Sequence, residues 1–160
     1  MSPLTIESSV FENSDPIPDG YAYEARNVNP PLRFENVPSG GESLALVIDD
    51  PDAEEAAEEA FDHWVLWGID PDRTVIPEGW EPEPDEAREG ENGIGDTGFL
   101  GFAPPDEEHT YKFRLYALDT AIGLDAGASK AELEAAMEGH VLGEALLEGT
   151  FAPEQVPDAE

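Results

Sequence analysis

The chain has no cysteine, three histidines and only seven basic residues. The first absence excludes disulfides and thiolate metal sites, and leaves the redox compartment open. The scarcity of histidine confines imidazole chemistry to His63, His109 and His140. The scarcity of Lys and Arg argues against a nucleic-acid partner, because those side chains replace the counterions of bound phosphates. No apolar run approaches the ~20 residues of a membrane span, so no stable membrane insertion is expected. The start, Met1-Ser2-Pro3-Leu4-Thr5, has neither the basic region nor the apolar stretch of a secretory signal, and a cytoplasmic protein is expected. A Gly-x-Ser-x-Gly nucleophile motif is also missing, which argues against a serine hydrolase.

What is present in excess is negative charge. Thirty-eight acidic residues give a formal net charge of −31. Self-repulsion on that scale opposes a compact state in dilute buffer. Acidic, aromatic-poor chains are often disordered, but here the acids alternate with well-formed apolar segments, and 39% of the residues are hydrophobic. The reading that fits both facts is a surface adapted to concentrated salt, where a Debye length of about 3 Å at 1 M screens the repulsion. A halophilic source is expected. At 160 residues the chain suits one domain, which at such a length buries roughly 70% of its unfolded surface.

Residues Leu4–Val10 alternate as an opening strand, and Asn13–Gly20 is rich in turn residues. Asn29-Pro30-Pro31-Leu32-Arg33-Phe34 must be extended, since a residue before proline avoids the α region. Leu44–Ile48 is a continuous apolar run of strand length, the pattern of a strand covered on both faces. It stops at Asp49-Asp50-Pro51-Asp52, after which Ala53–Ala60 suits two helical turns. His63–Ile69 and Tyr111–Leu118 read as strands, and Trp64 and Trp67 must face opposite sides of theirs. The stretch Asp70–Asp96 shows no sustained periodicity, and a loop of that length is usually functional. Ser129-Lys130-Ala131-Glu132 is a capping box opening a helix that Gly139 terminates. His140–Phe151 fits helix or strand equally, and Ala152–Glu160 is a polar tail.

With so few candidates, chemistry is expected where strands end. Asp50 and Asp52 close one strand, His63 opens another, and His109 lies just before a third. Strand ends and the loops beyond them are where a scaffold presents side chains to a ligand. An imidazole held by a carboxylate donates well to phosphate or carboxylate through charge-assisted hydrogen bonds. Gly98, Gly101 and Pro104-Pro105 suit a rigid loop that approaches a ligand closely. Each residue also has a structural reading. Asp50-Pro51-Asp52 is a common turn, His63 beside Trp64 suits a core, and His140 after Gly139 suits a helix end. The Trp64/Trp67 pair suits core packing, and Glu54–Glu59 suits a solvated face.

The ordered set of segments resembles the phosphatidylethanolamine-binding protein family, in particular its small prokaryotic Raf-kinase-inhibitor-like branch, with an archaeal halophile as the expected source. The markers are Asn29-Pro30-Pro31-Leu32, Leu46–Ala53, His63–Trp67, Asn92, Gly95, Gly98-Phe99, Gly101, Pro104-Pro105, His109, Tyr111 and Gly139–Ala145. The resemblance runs from about Phe11 to Phe151. It implies a mainly β fold of two packed antiparallel sheets, Greek-key in character, with a few peripheral helices. Residues 1–151 would be a single domain and 152–160 a tail. The resemblance also implies a small pocket for phosphate-like anions and phospholipid head groups, formed by Asp50, Asp52, His63, Gly101, Pro105, His109 and Tyr111.

That resemblance implies a non-enzymatic binding protein with no cofactor, acting on a partner kinase or protease, and possible homodimers by analogy. The chain departs from the family pattern at Phe102, Glu107, Glu108 and Thr110. These changes remove a cation from the pocket rim and add two negative charges. Two further readings stand beside the first. His63, His109 and Asp50 have the donor chemistry of a metal-dependent hydrolase. A protein-interaction module with a vestigial pocket is the other.

Overall fold

Five consecutive apolar residues, Leu44–Ile48, leave a strand no polar side to turn to water, so both of its faces have to be covered. A computed structural model describes residues 4–18, 29–50, 61–80, 87–92, 97 and 109–151, with the backbone alone for residues 50, 61, 62 and 109. The apolar run lies in strand β4 (Ser43–Asp50), at the centre of a six-stranded sheet. In chain order, the other strands are β1 (Thr5–Glu7), β2 (Asp15–Pro16), β3 (Leu32–Glu35), β5 (Phe61–Ile69), β6 (Val75–Ile76), β7 (Arg88–Glu89), β8 (His109–Leu118) and β9 (Val141–Phe151). The large sheet runs β2-β9-β8-β4-β5-β7, and a three-stranded sheet runs β1-β3-β6. All pairings are antiparallel except β2 with β9, two residues long and parallel. β8 returns to the centre beside β4 instead of following β7 at the edge, the non-sequential neighbour order of a Greek-key path.

The faces of the large sheet follow its alternation. Leu44, Leu46 and Ile48, with Trp64, Leu66, Phe113 and Leu115, pack against Ile6, Leu32, Phe34 and Ile76 of the small sheet. This inter-sheet layer is the main core, and each fully buried Leu, Ile or Phe in it contributes about 1.5–3 kcal/mol. On the outer face, Ala45, Val47, Val65 and Trp67 are covered by Ile122 and by Leu133 and Met137 of helix α1 (Lys130–Met137). The two tryptophans are both fully buried, on opposite faces as their spacing requires.

Helix α1 begins where the capping box predicts. The Glu132 N–H donates to Ser129 Oγ at 3.1 Å, and the Ser129 N–H donates to Glu132 Oε1 at 3.2 Å. Gly139, at φ 83°, turns the chain out of the helix.

Over the span where it pairs with Leu44–Asp50, strand β5 carries two inserted residues. Between the pairs Leu44–Ile69 and Leu46–Leu66, Trp67 and Gly68 together oppose Ala45, and Gly68 takes φ 71°. Between Ile48–Trp64 and Asp49–Asp62, His63 is the extra residue. Each insertion is a β-bulge, which reverses the alternation downstream and re-aims a side chain. The first returns Ile69 to the inner face with Leu66. The second acts on His63.

Several expectations need revision. The opening strand is only Thr5–Glu7, with Val10 exposed. The stretch after Asp70 holds β6 and β7, two residues each and too short to show a period. His109 lies inside β8, as its first residue. The ambiguous segment after His140 is strand β9. Glu144 and Leu146 on β9 stay exposed while Leu147, Gly149 and Phe151 are buried. One helix lies among the described residues; Ala53–Ala60 and Ala152–Glu160 lie outside them.

Candidate functional site

Antiparallel pairing brings the end of β4 beside the starts of β5 and β8. Asp50 closes β4 and pairs with Phe61, the first residue of β5. The β4–β8 register ends where Asp49 pairs with Lys112, one residue short of Asp50 and of Tyr111. His109 opens β8 opposite Phe151, and Tyr111 lies opposite Gly149. Asp50, His63, His109 and Tyr111, chosen from distant parts of the chain, therefore come to one end of three adjacent strands. Asp52, Gly101 and Pro105 lie outside the described residues, as do Phe102, Glu107 and Glu108.

His63 is nearly buried, at 5% exposure. Counting back from Trp64 by strict alternation would place it on the helix-covered face with Val65. The bulge instead lets it meet the ring of Tyr111, a member of the inter-sheet core, edge-on at 5.1 Å between centroids and 78° between planes. Tyr111 is buried at 1% exposure. Both side chains have polar atoms: an imidazole that donates or accepts and a phenol that does either. Thr110 falls between His109 and Tyr111 in the alternation, opposite Thr150.

Asp49, one residue before Asp50, serves the helix-covered side of the sheet. It is buried, and its Oδ1 accepts from Arg114 Nε at 3.3 Å while Oδ2 lies 3.5 Å from Lys130 Nζ. This carboxylate ties β4 to β8 and to the first turn of α1. Asp49 is thus structural. Near it, burial pushes the Tyr116 phenol above its usual pKa; Arg114 opposes the shift, and Glu144, Glu134 and Asp49 add to it.

The third histidine is structural too. The His140 N–H donates to the Met137 carbonyl at 2.8 Å, and its Nδ1 lies 2.8 Å from Asp119 Oδ1 at the end of β8. Among the described residues no group of three or more His, Asp or Glu side chains is placed to hold a metal ion. No helix among them is long and apolar enough to cross a membrane. A groove of about 290 Å³, lined by residues such as Ser8, Pro31, Arg33 and Val75, lies on the small sheet and contains none of the candidate site residues.

Glu89 and Trp80 support the site without a strong local signal in the sequence. Trp64, directly after His63, donates its indole N–H to Glu89 Oε2 at 2.7 Å. Its ring also meets Trp80 edge-on, 6.5 Å between centroids. Trp80 is held by Asn29, whose Oδ1 accepts the Trp80 N–H at 2.8 Å. Asn29 Nδ2 donates to the carbonyls of Pro30 and Pro77, both at 3.0 Å. The Asn-Pro-Pro marker thus has a physical basis: the prolines extend the chain and the buried amide fixes the 77–80 turn.

Comparison with known proteins bears on this arrangement. The model of the phosphatidylethanolamine-binding protein family matches residues 7–152. A UPF0098 protein of Methanothermobacter thermautotrophicus is 42% identical over 151 residues, which cover 92% of this chain and 98% of that protein. A UPF0098 protein of Chlamydia muridarum is 35% identical over 150 residues, covering 92% and 98% respectively. Among solved structures, a phosphatidylethanolamine-binding protein homologue from Chlamydia trachomatis superposes with a TM-score of 0.88 at 33% identity, over 94% of this chain and 97% of its own. An E. coli member of the mammalian family superposes with a TM-score of 0.85 at 24% identity, over 94% and 98%, a likeness of fold.

Proposed function

This chain belongs to the phosphatidylethanolamine-binding protein family, and from that premise we propose that it is a non-enzymatic binding protein whose pocket takes a small anion or a phosphorylated head group. The observation that carries the reading is the convergence at one sheet end of Asp50, His63, His109 and Tyr111, with the β5 bulge turning His63 onto Tyr111. In this reading His63 and His109 donate to the anion, because an imidazolium N–H to a phosphate oxygen is a charge-assisted bond. Asp50 and Asp52 orient an imidazole or accept from a ligand ammonium group. Gly101, Pro105 and Tyr111 shape the rim. Loss of a rim cation at Thr110, with Glu107 and Glu108 added, lowers affinity for a doubly charged anion and favours a zwitterionic head group whose ammonium the acids accept. The protein acts in the cytoplasm, and occupancy of the pocket modulates a partner kinase or protease.

The test is titration of the full chain in molar KCl with phosphate and, separately, phosphoethanolamine, following the His63 and His109 ring resonances by NMR. Both histidines are expected to shift at millimolar ligand, with phosphoethanolamine the tighter of the two. If neither resonance moves, and His63→Ala gives the same titration as the parent, the pocket reading fails.

A further inference from the structure

We propose that Glu89 is a positioning residue for His63, acting through the indole of Trp64. The proposal rests on reading the His63 end of the sheet as the ligand site. Trp64 follows His63 directly, and the bulge at His63 adjoins this tryptophan, whose ring lies in the inter-sheet core. The orientation of the Trp64 ring therefore bears on the peptide unit that aims His63.

Two of that ring's contacts differ in kind. The edge contact with Trp80 at 6.5 Å tolerates tilt. The bond from Trp64 Nε1 to Glu89 Oε2, at 2.7 Å, is short and directional, with an ionised acceptor that strengthens it. Trp64 is fully buried, so a rotation that broke the bond would leave an indole N–H without its acceptor.

Glu89 is a fixed acceptor because β7 is clamped on both sides. Glu89 pairs with Leu66 in the ladder, and the Gly90 N–H donates to the Val65 carbonyl at 2.7 Å. A Cβ on Gly90 would stand 2.5 Å from the Ala128 carbonyl oxygen and 2.7 Å from Trp67 Cζ3, so only glycine lets the strand lie this close. The edge strand thus grips Trp67 on the outer face and Trp64 on the inner face. Its two-residue length is enough for that role.

The experiment compares the parent chain with Glu89→Ala and Glu89→Gln in molar KCl, reading the His63 ring resonances without ligand and during titration with inorganic phosphate. The edge-on Tyr111 ring imposes a ring-current shift on His63, which reports its aim directly. In Glu89→Ala that shift should change, and phosphate binding should weaken about tenfold, the effect of one lost hydrogen bond to a charged group. Glu89→Gln keeps an acceptor oxygen and should restore both. If Glu89→Ala lowers the melting temperature but leaves the His63 resonances in place, Glu89 is a strut and the proposal is overturned. If Glu89→Ala does not fold, Trp64→Phe decides instead, since it keeps a buried ring and deletes the donor: displaced His63 resonances support the proposal, unmoved ones end it. Should the parent show no phosphate response, the ligand reading fails, while the ligand-free resonances still decide whether Glu89 aims His63.

Discussion

His63 stands edge-on to Tyr111, 5.1 Å between ring centroids, because β5 carries one residue more than β4 at that point. Without the insertion, His63 would share the outer face with Val65 and Asp49, under the helix. The bulge makes the difference between a histidine in the structural layer and one at the mouth of the inter-sheet layer. Asp49 is engaged by Arg114 and Lys130 on the helix side, while Asp50 begins the segment that the proposed pocket draws on.

Because Asp49 meets Arg114 and Lys130 while His63 meets Tyr111, different outcomes are predicted for substitutions at the two positions. Asp49→Ala removes a buried acceptor from two partly exposed cations. It should destabilise the protein by about 1–3 kcal/mol, measured by denaturant unfolding in molar KCl. It should leave the phosphate response of the His63 resonance unchanged. His63→Ala should abolish the binding response that Asp49→Ala preserves. A folded Asp49→Ala protein that no longer senses phosphate would move Asp49 into the site.

How much of this was legible in the sequence depends on the length scale of each signal. The continuous apolar run Leu44–Ile48 announced a strand buried on both faces, and the Ser129/Glu132 spacing announced the start of α1. Both are local patterns with a single physical solution. The opposed burial of Trp64 and Trp67 followed from their separation by an odd number of residues. The His63 bulge was not legible, because an inserted residue leaves no mark in one strand; it exists only in the register with β4. Glu89 as the acceptor for Trp64 was hidden for a similar reason. β7 has two residues, too few for any periodicity, and its partner lies 25 positions away. His140–Phe151 stayed ambiguous because exposed Leu142 and Leu146 blur the alternation of β9.

A second prediction concerns Gly149, opposite Tyr111 in the ladder. A Cβ there would stand 2.6 Å from Ile17 Cγ1 and 2.8 Å from Phe11 Cε2, both buried side chains. Gly149→Ala therefore overpacks the core and should cost about 1–3 kcal/mol. Gly123 is the control: a Cβ there meets nothing within 4 Å. Gly123→Ala should be neutral or stabilising by up to about 1 kcal/mol, through the reduced entropy of the unfolded chain. Equal effects at the two positions would contradict the close packing of Ile17 and Phe11 against β9.

A third prediction is set by Tyr116. Burial raises its pKa above that of an unfolded tyrosine, at 10.0. The folded state then holds a proton that the unfolded state gives up first. Below the unfolded pKa both states are protonated and Tyr116 adds no pH dependence. As pH rises through 10 and on through the folded pKa, stability falls because the unfolded state gains by ionising. Unfolding midpoints of the parent and Tyr116→Phe should run parallel below that range and diverge above it, the phenylalanine variant losing less. Parallel curves throughout would mean that Tyr116 titrates as a free phenol.

The last prediction follows from the ratio of charges. Thirty-eight acids face seven cations, so one-to-one pairing neutralises at most seven acids, and Asp49 alone occupies two of the cations. The remaining carboxylates repel one another over a Debye length of about 10 Å at 0.1 M salt but only about 3 Å at 1 M. The protein should therefore lose cooperative unfolding when salt is dialysed away and regain it in molar KCl, followed by circular dichroism. Stability should rise steeply with salt at first and then flatten once the screening length falls below the spacing between acids. A protein fully stable in dilute buffer would show that the inter-sheet core outweighs the repulsion unaided, and that the acidic surface serves some end other than tolerance of salt.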